Sequence, residues 1–258
     1  MDPYAICGSG VSARPGDVVT TVAKTIPVRL KLTQSSTSKP SPHPALTGRE
    51  QEAGELADAV RRLIGLTMDA PAPPEVTKEA VRALEAVADM LQRHVPDPPL
   101  PKTLLHEPDP GDGDLGARMP FDNVIGRYNP LALPLELEFD READPPRALL
   151  RGAFTRAYEG PPGCVHGAVL AASFDIAFAA ANFIAGMPGP TVRLEIDYRR
   201  PTALHAPCVF EAWVESHDDR RVRTVGRLVQ RDKVTVEAVG DFAKLDQSQI
   251  ARMVERTR

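Results

Sequence analysis

The sequence has few cysteines, no surplus of positive charge and no long uncharged apolar run. Cys7, Cys164 and Cys208 are widely spaced and odd in number. They form no CxxC pair, so neither a disulfide framework nor a zinc site is indicated, and a reducing, cytoplasmic compartment fits. The 31 basic and 35 acidic residues leave a formal charge of -4. A nucleic-acid-binding chain normally carries a basic footprint, so that class is not expected. Residues 1–44 hold no apolar run long enough for a signal-peptide core. The longest apolar stretch, 168–184, is short for a membrane span and contains Asp175 and Asn182, so no transmembrane segment is expected.

Proline, by contrast, is plentiful at 26 residues, much of it before residue 147, which puts irregular structure in the first half. Residues 1–44 include a Ser-, Thr- and Pro-rich tract at 34–42 and read as disordered. Residues 45–95 read as two helices forming an accessory hairpin. Thr47-Gly48-Arg49-Glu50 fits a capping box for the first, followed by Leu56, Val60, Leu63 and Ile64 at helical spacing. The second spans about 74–94, with Val76, Ala80, Leu84, Val87, Ala88 and Leu91 along one face. Residues 96–130 read as a Pro-rich linker. Its Asp109, Asp112 and Asp114 lack the Glu at the twelfth position that an EF-hand loop needs, and no metal site is expected. A folded domain over 131–246 and a tail over 247–258 complete the chain.

In the domain, Leu133, Leu135, Leu137 and Phe139 alternate with polar or turn residues, the period of a half-buried strand. A second strand is expected over 147–158. A helix follows, then a strand with Val192, Leu194, Ile196 and Tyr198 alternating with charged residues. Three more strand-like runs follow at roughly 207–217, 221–231 and 233–244, separated by turns at Asp218-Asp219 and Asp232-Lys233. Strands joined by short turns are antiparallel. The helix between them, AVLAASFDIAFAAANFI, is apolar on all faces and must be covered on most sides. An α+β hotdog fold, an antiparallel sheet wrapped round one central helix, satisfies both conditions. Such a sheet covers one side of the helix fully, so a second copy is expected on the other.

A lone carboxylate in that helix, Asp175, is costly unless something pairs with it or uses it. Apolar surroundings push a carboxyl pKa upward, toward the range of a useful base. Before the helix runs Gly163-Cys164-Val165-His166-Gly167-Ala168. A helix N-terminus offers unpaired N–H groups and a partial positive charge, the makings of an oxyanion site. The nine residues from His166 to Asp175 rise about 13 Å and turn about half a circle. Gly167 and Asp175 of one chain therefore do not grip the same carbon, and a site using both draws them from different subunits.

With Gly163-Cys164-Val165-His166-Gly167, Asp175 nine residues after the His, Thr191, and Asp197-Tyr198-Arg199-Arg200-Pro201, residues 120–245 resemble the hotdog-fold acyl-CoA thioesterases of the PaaI-like and thioesterase superfamily member 4-like type. The resemblance implies hydrolysis of acyl-CoA to a free acid and coenzyme A. It implies Asp175 as general base or nucleophile, the Gly167 N–H as polariser of the thioester oxygen, His166 as the family's motif histidine, and Thr191 as an aid in placing water. It also implies a homodimer or a dimer of dimers, and no cofactor beyond coenzyme A in the substrate. One position departs: the second Gly of the family's His-Gly-Gly is Ala168, which bears on the carbonyl pocket. That departure keeps open a non-catalytic acyl-CoA-binding module; an enoyl-thioester hydratase ranks below both.

Bland roles stand beside these. Asp175 fits a satisfied structural acid, and His166 fits a loop support. Asn182 is a candidate contact for substrate or a polar helix end. Arg199 and Arg200 are candidates for the coenzyme A phosphates, since guanidinium forks match phosphate oxygens, or are solvent-facing charges. Cys164 reads as a packing residue. Phe154, Phe174, Phe178 and Trp213 are candidates to line an acyl pocket.

Overall fold

Strand alternation and turn chemistry build the sheet. A computed structural model describes residues 43–100, 102, 115–245 and 248–249. The disorder expected over 1–44, the acidic run at 109–114 and the tail at 247–258 fall wholly or largely outside these residues. Helices α1 (Glu50–Asp69), α2 (Pro74–Gln92) and the short α3 (Leu115–Arg118) precede β1 (Leu135–Asp140) and β2 (Arg147–Gly152). Then come α4 (Gly167–Ile184), β3 (Thr191–Tyr198), β4 (Cys208–His217), β5 (Arg221–Gln230) and β6 (Lys233–Ala243). The six strands form one sheet in the order β1-β2-β4-β5-β6-β3, with every neighbouring pair antiparallel. Along the chain the elements of the domain run β-β-α-β-β-β-β, as expected, and β3 lies at one edge of the sheet. The second strand ends at Gly152, short of 158, and a single 3-10 turn at Arg156–Tyr158 takes over.

The turns follow local chemistry. At the β4–β5 turn the Asp218 side chain accepts from the Arg220 and Arg221 N–H groups, which holds its carboxyl below the usual range. The β5–β6 turn centres on Arg231 and Asp232, one residue earlier than the sequence suggests. Both have positive φ, 52° and 59°, as a type I′ hairpin turn requires.

One face of the sheet packs on α4. From it Phe210, Val222, Leu228, Val236 and Phe242 meet Phe174 and Phe178, all fully buried. Phe174 stands edge-on to Phe210 with ring centres 5.1 Å apart, and Phe178 edge-on to Phe242 at 6.3 Å. Phe178 can lie this deep because Gly226 and Gly240 lie beneath it. A Cβ at either would come within 2.7 Å of its ring. Trp213 takes the opposite parity from Phe210 and Ala212 in β4. Its ring stacks under the Arg147 guanidinium on the outer face, so it does not line the helix side. By length and composition α4 could cross a membrane, yet more than half of it is buried within the protein.

The N-terminal helices depart from expectation. Thr47 lies in a turn before α1, Arg49 holds the N-cap position, and no side chain caps it. The capping box fails because Glu50 is already the first helical residue. α1 docks through its small face, Gly54 and Ala57, while Arg61 donates to the carbonyls of Arg127 and Asn129 at 2.6 and 2.8 Å. Leu56 and Leu63 stay exposed. α2 buries no residue, so its apolar stripe has no partner surface among the described residues. The later part of the expected linker does more than connect, since Leu115 and Val124 enter the main core.

Gly240→Ala should lower unfolding stability by about 1–3 kcal/mol, the usual cost of overpacking, read from the urea midpoint. An unchanged midpoint would mean that Phe178 does not need the glycine floor.

Candidate active site

The loop before α4 is held at several points. The Gly163 N–H donates to the Glu159 carboxylate at 2.6 Å, the Val165 N–H to the Thr202 carbonyl at 2.8 Å, and the His166 N–H to the Tyr158 carbonyl at 2.9 Å. Gly163 has φ 73°, a conformation glycine adopts without strain. His166 is then the N-cap of α4. Its Nδ1 accepts from the Ala168 N–H at 3.0 Å, which leaves the proton of a neutral ring on Nε2. The His166 carbonyl accepts from Val169 and Leu170 at 3.0 and 3.3 Å. The Gly167 N–H is left without an acceptor among the described residues. It lies where the helix dipole is most positive.

Asp175 is half-buried rather than enclosed. The sheet reaches the helix at its edge strand there, and the Thr191 hydroxyl donates to Asp175 Oδ1 at 2.6 Å. Strict alternation would put Thr191 on the outer face with Arg193 and Glu195. A bulge between Thr191 and Arg193 shifts the register, so that Thr191 pairs with Phe242 and Leu194 with Gly240. Phe242 and Gly240 share the helix-facing side, so the extra residue, Val192, turns Thr191 toward Asp175. Val192 is itself 50% exposed, outside the alternation expected of it. Asp175 and Thr191 are therefore brought together, as are His166, Gly167 and Ala168. The two groups sit on α4 about 12 Å apart along its axis.

The remaining candidates lie elsewhere. Asn182 is fully buried and accepts from the Thr224 hydroxyl at 2.5 Å, tying the end of α4 to β5, while its Nδ2 has no partner among the described residues. Arg199 donates to Glu237 and Asp197 at 2.8 and 3.1 Å. Arg200 donates to the Val234 carbonyl at 3.0 Å, and no described carboxylate pairs with it. Burial pushes the Cys208 thiol up to about 12, which makes it a poor nucleophile. Among the described residues no group of three His, Cys, Asp or Glu side chains could hold a metal ion. Tyr198, in the Asp197–Pro201 motif and the β3 row, has no site role from the sequence alone. Its hydroxyl donates to the Gly167 carbonyl at 2.9 Å, and the signal for it was its place at the end of the helix-facing row of β3.

Asn182→Ala should cost about 1–3 kcal/mol, because the buried Thr224 hydroxyl loses its partner. Unchanged stability with a raised KM for substrate would instead give Asn182 a contact role.

The thioesterase superfamily pattern matches residues 162–237, from just before His166 into β6. A crystal structure of a thioesterase superfamily protein is 28% identical, with a TM-score of 0.66, covering 74% of this chain and 90% of the other. That coverage exceeds what residues 131–246 alone supply, so the likeness reaches into the preceding segments. The Escherichia coli PaaI protein from the phenylacetic acid degradation operon is 20% identical, with a TM-score of 0.37, over 39% of this chain and 73% of that one. A hypothetical thioesterase from Streptococcus pneumoniae TIGR4, solved with coenzyme A, is 14% identical, with a TM-score of 0.38, over 42% and 88%. No curated protein matches the chain. Residues 162–237, which span the motif, α4 and β3, are thus similar to the thioesterase superfamily, and the six-stranded antiparallel sheet around α4 is a hotdog fold.

Proposed function

We propose that this chain hydrolyses acyl thioesters, with acyl-coenzyme A as the substrate class, releasing a free carboxylic acid and the thiol. The observation that carries this reading is the Asp175 carboxylate, fixed by Thr191 at 2.6 Å, on the same helix whose first N–H has no acceptor among the described residues. Thr191 engages Oδ1 and leaves Oδ2 to take a proton from water. That water attacks the thioester carbonyl carbon as Asp175 accepts its proton. Negative charge gathers on the carbonyl oxygen, where the Gly167 N–H and the helix dipole stabilise it. The C–S bond then breaks, the carbonyl re-forms as the acid, and the proton held by Asp175 goes to the departing sulfur.

The axial gap between Gly167 and Asp175 is wider than one thioester group. The reaction therefore uses Gly167 of one copy and Asp175 of another, in a homodimer. The half-exposed Tyr198 and Val192 on edge strand β3 are surface that a second copy would cover. Arg200, without a carboxylate partner, is better suited to a coenzyme A phosphate than Arg199, which two carboxylates already engage.

Thiol release across a panel of acyl-CoAs tests the reading. Asp175→Asn should lower kcat at least about 100-fold, the scale of a lost general base, with the protein still folded. Thr191→Val should lower kcat about tenfold, as for one hydrogen bond. Full activity in Asp175→Asn, or no release from any thioester by folded wild type, would contradict the assignment.

A further inference from the structure

We propose that Tyr198 is a positioning residue: with His166 it pins the Gly167–Ala168 peptide at both ends and so aims the Gly167 N–H at the thioester oxygen. This deepens the thioester-hydrolase reading and rests on it. Two peptide planes meet at the Gly167 Cα. In the plane after it, the carbonyl of Gly167 accepts from the Tyr198 hydroxyl at 2.9 Å, and the N–H of Ala168 donates to His166 Nδ1 at 3.0 Å. In the plane before it, the His166 carbonyl accepts from Val169 at 3.0 Å and Leu170 at 3.3 Å. Three of the four polar atoms flanking Gly167 are thus held, and the fourth is its own N–H. Each peptide is rigid and planar, so the held His166 carbonyl sets the plane of the Gly167 N–H, and the held Gly167–Ala168 plane limits rotation about the Gly167 Cα that joins the two.

The restraint matters because Gly167 is the softest residue in the helix backbone and lies in its first turn, where intrahelical bonds are missing. Glycine also lets the phenol come close. A Cβ there would lie 3.1 Å from the Tyr198 hydroxyl oxygen and 3.3 Å from its ring carbon. The phenol rests against the bare Cα, and that contact brings its hydroxyl within reach of the carbonyl. Core filling does not explain the residue, since Tyr198 is 54% exposed and phenylalanine would occupy the same space. Its hydroxyl has one described partner, the helix terminus.

Tyr198→Phe removes only that hydroxyl. Activity on acyl-CoA and the Gly167 amide resonance of glycine-labelled protein are read together. The proposal expects a shifted, faster-exchanging Gly167 amide and a kcat lowered about tenfold, as for one ordinary hydrogen bond, with KM within twofold and an unchanged melting temperature. An unmoved Gly167 amide would overturn it, as would a raised KM at constant kcat, which marks a substrate contact. Should wild type release no thiol from any thioester, the functional reading fails by itself. The amide resonance then still decides the clamp: moved supports it, unmoved overturns it.

Discussion

The seating of Phe178 on Gly226 and Gly240 sets the depth at which α4 lies in the sheet, and the positions of the functional groups follow from that depth. An apolar helix gains by being enclosed. A flat row of side chains would hold it off; two residues without side chains let its ring approach the strands. Phe242 then meets it edge-on and Phe174 at a tilt, with Phe210 edge-on to Phe174. With the middle of the helix fixed this way, its N-terminus emerges at one end of the sheet and Asp175 at the partly open side.

Edge strand β3 turns that placement into a site. It touches α4 at two places with two hydroxyls, Thr191 on Asp175 and Tyr198 on Gly167. A bulge re-aims the first, and simple alternation aims the second. An edge strand suits this work because its helix-facing residues are only partly covered, Tyr198 being 54% exposed. His166 completes the arrangement by occupying the Ala168 N–H, so that one backbone donor, not several, is offered.

The element order was legible because each element had a strong period: alternation in the strands, apolarity on every face in α4. Asp175 stood out by the same contrast. What was not legible depended on tertiary context. The capping box at Thr47 was two residues out of phase with the helix that formed, whose N-cap is Arg49, since a turn ending at Gly48 claimed it. The stripe on α2 looked like a packing face, yet periodicity does not say what a face packs on. Trp213 was a candidate to line an acyl pocket, whereas its parity in β4 puts it outside. Asn182 was open between a polar helix end and a substrate contact, and the hydroxyl it meets in the fold, that of Thr224, is 42 residues away. The bulge that aims Thr191 leaves no mark in the alternation, and the reach of Tyr198 to Gly167 needs the fold to be seen.

The central claim is that one catalytic site takes its oxyanion donor and its carboxylate from different copies. Mixed dimers test it most directly. Gly167→Pro removes the N–H at a helix position that tolerates proline, and Asp175→Asn removes the base. Each variant alone should be inactive. A purified heterodimer carrying one of each keeps one intact pair, Gly167 from the Asp175→Asn chain and Asp175 from the Gly167→Pro chain, and should recover about half the wild-type turnover per dimer. A heterodimer as inactive as its parents would show that both groups serve one chain's site and would contradict the shared arrangement.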